Sequence, residues 1–134
     1  MNLTPKAAPE YMFLLRGTQF ETRLSLQEMQ EAMGHYTAWL DRLTQEGKLK
    51  GGQPLAPAGK IVSGKGDRTV SDGPFAEAKE AIGGYLMFNV PDLDAAVAIA
   101  KTCPLLEYGA DVEVRPVLDL CPTMQRLSEW SGQA

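Results

Sequence analysis

The chain has 134 residues, 44% of them apolar and 22% charged, the proportions of one globular domain large enough to bury its own core. A net charge of −4 and the lack of any basic run argue against a nucleic-acid backbone or an anionic membrane surface as partner. The opening Met1-Asn2-Leu3-Thr4-Pro5-Lys6 has no apolar segment of secretory-signal length, and no stretch approaches the ~20 apolar residues of a membrane span, so a cytoplasmic protein is expected.

Residues 1–9 carry two prolines and no periodicity and read as a flexible N-terminal arm. A strand follows at 10–16, where Tyr11, Phe13 and Leu15 share one face and Met12 and Leu14 the other. Leu26, Met29, Met33, Tyr36, Leu40 and Leu43 then recur at spacings of 3, 4, 3, 4 and 3, an apolar stripe that predicts a helix over 26–46. Ser25 and Glu28 have the capping-box spacing, and Gly47 ends the helix in a left-handed turn. Residues 48–59, rich in Gly and Pro, read as loop.

A hairpin is predicted from strands at 60–63 and 68–72 around the turn Gly64-Lys65-Gly66-Asp67. Pro74 ends regular pairing, and Glu77 to Ile82 reads as a helical turn. After Gly83-Gly84 a strand is expected to 90, with apolar residues on both faces: Tyr85 and Met87 against Leu86 and Phe88. Asp92 caps a second helix whose inner stripe is Leu93, Ala96, Val97 and Ala100, stopped at Pro104. Residues 105–110 read as loop and 111–117 as a strictly alternating strand. The tail, 118–134, holds one short helix around 123–130.

With the hairpin set aside, this order gives an α+β domain over 10–117 on the ferredoxin-like βαββαβ plan, with both helices on one sheet face. Two helices cover one face only, yet the first and fourth strands are apolar on both. A second copy of the same face is the economical cover, which makes the expected assembly a homodimer, a dimeric α+β barrel.

One string is more specific than the periodicities: Thr69-Val70-Ser71-Asp72-Gly73-Pro74-Phe75-Ala76-Glu77-Ala78-Lys79-Glu80, followed by Gly83-Gly84-Tyr85. With His35-Tyr36-Thr37-Ala38-Trp39-Leu40, Pro91-Asp92-Leu93-Asp94 and Val112-Glu113-Val114-Arg115-Pro116-Val117, it resembles the DGPF-domain branch of the bacterial YCII-related proteins over about residues 10 to 117. The resemblance independently implies the dimeric α+β barrel. It also implies a histidine in the first helix, where His35 falls, as one half of a His–Asp pair in a pocket. Many YCII proteins have Asp-Pro after the second helix, whereas this chain has Cys103-Pro104. Proteins of the DGPF type are often encoded beside extracytoplasmic-function sigma factors, which implies a regulatory accessory role.

His35, the one histidine, is the natural proton-transfer candidate at neutral pH. It reads either as a half-buried helix residue with local hydrogen bonds or as a pocket base. Asp72 either shapes its Asp-Gly-Pro turn or faces His35 as acceptor. Phe75 is a core plug or a pocket wall. Arg115 pairs with Glu113 at an exposed edge or receives an acidic ligand. The catalytic candidates are therefore His35 and Asp72, and the ligand-binding candidates Phe75 and Arg115.

Cys103 and Cys121 are far apart and read as free thiols. One histidine and two distant cysteines make no zinc site, Gly64-Lys65-Gly66 lacks the spacing of a phosphate loop, and the basic half of an RNA-binding sheet is missing. No metal or cofactor is expected. Two functions remain: a small-ligand-binding or regulatory module without turnover, and a cofactor-free enzyme using His35 as general acid or base in an apolar pocket.

Overall fold

The computed structural model describes residues 9–73 and 81–132. Strands β1 (Glu10–Arg16), β2 (Leu49–Pro54), β5 (Ile82–Asn89) and β6 (Asp111–Val117) form one open antiparallel sheet in the order β2-β5-β1-β6. Among the described residues, strands β3 (Gly59–Ser63) and β4 (Thr69–Gly73) pair only with each other, as a hairpin outside that sheet. Helix α1 (Leu26–Gln45) links β1 to β2, α2 (Leu93–Ala100) precedes β6, and α3 (Pro122–Gly132) ends the described chain. The result is a mixed α+β fold.

The core lies between the two helices and one face of the sheet. Phe13 and Phe88 meet at the centre with ring centroids 4.2 Å apart, and Trp39 of α1 stands 6.3 Å from Phe88. Ala32, Ala96 and Ala100 are buried because a methyl lets each helix approach the sheet closely. α1 starts as predicted: Ser25 Oγ accepts from the Glu28 amide at 3.1 Å, and the Glu28 carboxylate accepts from the Ser25 amide at 2.9 Å. Asp92 accepts from the Ala95 amide at 2.8 Å and caps α2.

Four expectations are corrected. Residues 49–54 form an edge strand rather than loop. Their glycines serve the pairing, since a Cβ on Gly52 would strike the Tyr85 carbonyl and come within 3.0 Å of Leu86 Cα. Gly83-Gly84 lie inside β5 instead of before it, and Pro104–Tyr108 is a 3-10 helix closed by Gly109 in the left-handed region at φ 92°. The buried line of α1 is Ala32, Trp39 and Leu43, whereas Leu26 and Met33 of the expected stripe are 69% and 40% exposed. The Trp39 indole sets this phase: it sits in the core and donates to Thr102 Oγ1 at 2.8 Å.

The opposite sheet face carries Met12, Leu14, Tyr85 and Met87, all half-buried, with an Arg16–Glu113–Arg115 ion cluster beside them. α3 buries none of its residues, and Met124, Leu127 and Trp130 are exposed along it. Among the described residues no helix is long and apolar enough to cross a membrane.

Candidate functional site

A loop and a helix face flank an apolar cavity. Gly17, at φ 71°, turns the chain sharply out of β1, a conformation that glycine adopts without strain. The loop then makes the short 3-10 helix Phe20–Thr22, which drops the Phe20 ring into the core. Arg23 fastens the loop, its guanidinium donating to the Gly17 carbonyl and lying 5.4 Å from the Phe20 ring centroid. Thr18, Phe20 and Glu21 are thereby held over the edge of the sheet where β2 meets β5.

From the other side α1 presents Met29, Met33, Tyr36 and Leu40. Met29, Tyr36 and Leu40 are half-buried, packing against the core on one side and lining the cavity on the other, and Met33 is exposed. Between loop and helix lies a cavity of about 380 Å³, floored by Gly52, Gly83 and Gly84 and backed by Leu15, Leu86 and Leu105. The walls are mainly aliphatic and thioether. Polar groups are few: the Thr18 hydroxyl, the Glu21 carboxylate, Gln53 and Tyr36. Burial, helped by the neighbouring Cys103 sulfur, pushes the Tyr36 phenol up to about 12, so it is a proton donor and not an anion at neutral pH. Cys103 is itself buried, and burial raises its thiol above the usual range, which makes it inert packing.

The residues singled out from sequence fall elsewhere. His35 is exposed on α1 and lines a separate cleft with Trp39, Arg42, Thr102, Glu107 and Tyr108. Asp72 is exposed on β4 and paired with Lys60 across the hairpin. No hydrogen bond or ion pair among the described residues joins His35 to Asp72, and they line no common cavity. Phe75, with the 77–80 part of the expected helical turn, lies outside the described residues. Arg115 is on the open sheet face, 3.5 Å from Glu113, which also pairs with Arg16.

The cavity residues Thr18, Glu21 and Gln53 carry no motif that sequence reading picks out. The one signal was indirect: α1 has more apolar positions than one sheet contact can bury.

Fold and site together define a small α+β protein with a preformed apolar pocket between its first helix and the sheet edge. The family model of the YCII-related domain matches residues 10–120, and the chain belongs to that family. No curated protein matches it. Among solved structures, 5-chloro-2-hydroxyhydroquinone dehydrochlorinase (TftG) from Burkholderia phenoliruptrix AC1100, in complex with 2,5-dihydroxybenzoquinone, is similar at a TM-score of 0.46 and 16% identity over 80% of this chain and 90% of that one.

Proposed function

We propose that this YCII-related protein, of the DGPF branch, is a cytoplasmic small-ligand-binding or regulatory module whose ligand sits in the pocket between α1 and the β2–β5 edge. The carrying observation is that Met29, Met33, Tyr36 and Leu40 of α1 line one cavity, Met33 being 40% exposed and the other three only half-buried against the core. Exposed or half-buried apolar side chains around a cavity of that size are what an apolar small molecule desolvates on binding.

The strand order with α1 and α2 on one face supports the ferredoxin-like plan, and the apolar second face supports pairing with a second copy as a dimeric α+β barrel.

A thermal-shift series with a neutral aromatic alcohol, phenethyl alcohol, tests the ligand reading. Saturating the pocket raises the melting temperature by mass action. Met33→Trp puts an indole into the cavity from a position 40% exposed, so it blocks binding without overfilling the core. A shift of equal size in Met33→Trp, or none in the natural chain, overturns the reading.

The second reading is a cofactor-free enzyme with His35 as general acid or base. Glu107 and Tyr108 favour it by sharing the His35 cleft. Against it stands the exposure of His35 without a carboxylate bonded to its ring among the described residues, and the engagement of Asp72 by Lys60. His35→Ala is expected to leave the ligand-induced shift unchanged.

A further inference from the structure

We propose that the α1–β5 pocket selects a ligand with an apolar body and a cationic head, an aralkylamine in chemical class, whose ammonium group sits against Glu21. The inference rests on the reading of this pocket as the binding site and adds the charge of its ligand.

The argument is the charge inventory of the wall. Among the described residues lining the pocket there is no Lys, Arg or His, and there is one carboxylate, Glu21. No hydrogen bond or ion pair with a described residue engages that carboxylate. The nearest cation in sequence, Arg23, is committed to the Gly17 carbonyl and the Phe20 ring. Glu21 is exposed, so it marks the mouth of the cavity, while Met29, Met33 and Leu40 lie along α1 beside it.

A ligand of matching shape therefore meets three different outcomes according to its head. A carboxylate head faces Glu21 with no lining cation to offset the repulsion. A hydroxyl head gains at most a neutral hydrogen bond. An ammonium head gains a charge-assisted hydrogen bond to the Glu21 carboxylate while keeping water on its outer side. The Tyr36 phenol, protonated at neutral pH, adds a donor to the wall and no charge. Thioether sulfurs of Met29 and Met33 adapt to an aromatic body and contact ring edges favourably.

Three probes with the same phenethyl body separate these cases: phenethylamine, phenethyl alcohol and hydrocinnamate, titrated calorimetrically against the full chain at neutral pH and low salt. The expected order of affinity is amine, alcohol, carboxylate. The amine should lead the alcohol by about two- to fivefold, the range of an exposed ion pair, and the lead should shrink as salt is added. Glu21→Gln should erase the lead of the amine and leave the alcohol unchanged, and Glu21→Lys should move hydrocinnamate to the top. Equal affinities for all three, a preference for the carboxylate in the natural chain, or an amine lead that survives Glu21→Gln overturns the inference and leaves the pocket reading standing. If none of the three binds, or if Met33→Trp leaves alcohol binding intact, the pocket reading falls and this inference with it.

Discussion

Gly83→Ala tests the pocket floor at its tightest point. A Cβ at this position would overlap Thr18 Oγ1 and lie 3.1 Å from Thr18 Cβ and 3.5 Å from Thr18 Cγ2. Residue 83 has no positive φ, so the backbone itself accepts alanine. Replacing glycine in a strand interior then gains about 0.5–1 kcal/mol, against an overpacking cost of about 1–3 kcal/mol. The net expectation is a loss of about 1–2 kcal/mol, or about 3–8 °C in melting temperature for a domain of this size. Thr18→Ala removes the two atoms beyond Cβ and leaves only the 3.1 Å contact, so the double variant should recover most of the loss. Urea unfolding of the four-member cycle measures the coupling, expected at about 0.5–3 kcal/mol for residues in direct contact. Both residues line the cavity, so Gly83→Ala alone should also weaken phenethyl alcohol binding. A Gly83→Ala chain as stable as the natural one, or a double variant no better than the single, would refute this account of the floor.

The two thiols should separate cleanly by mass spectrometry after iodoacetamide treatment: Cys121, exposed and lowered in pKa by the Met124 and Thr123 amides, reacts in the folded protein, and buried Cys103 reacts only in urea. The Glu28 carboxyl is held below its usual range by the Ser25 amide and hydroxyl, so its cap stabilises α1 above the unfolded-state pKa of about 4.3 and loses that contribution as pH falls through the lower folded value. The stability gap between the natural chain and Glu28→Gln, followed by circular dichroism, should accordingly narrow below that pH. Met87→Lys places an ammonium in the middle of the open sheet face, opposite Met12, where a second copy would have to bury it. Light scattering at micromolar concentration should give a dimer for the natural chain and a folded monomer for Met87→Lys, and a natural chain that is monomeric there would sink the proposed assembly.

The periodic elements were legible because each rests on a local rule. Strand β1, the α1 capping box, the Asp92 cap and β6 follow from alternation and side-chain-to-amide geometry within a few residues. β2 was not legible: Gly51, Gly52 and Pro54 have poor strand propensity, and only the long-range pairing with β5 makes them a strand. The expected meeting of His35 with Asp72 required a tertiary contact no local rule supplies. Asp72 stands on the hairpin, which pairs with no other strand among the described residues, and its cross-strand neighbour Lys60 holds its carboxylate.

The phase of α1 carries the functional argument furthest. Six apolar positions at helical spacing read as one core stripe, yet the helix turns so that Ala32, Trp39 and Leu43 face the sheet. The energetic reason is Trp39. Its large ring gains most from burial, and its indole N–H then needs a partner, which Thr102 provides at 2.8 Å. Rotation of the helix to bury Met33 in its place would expose that ring and break the bond. Met33 is therefore surplus to the core, while Met29 and Leu40 pack against its margin and leave one side on the cavity. They lie together on the cavity wall, across from Gly52, Gly83 and Gly84. Met33→Gln should cost the fold little and ligand binding much, the reverse of what Trp39→Ala should do.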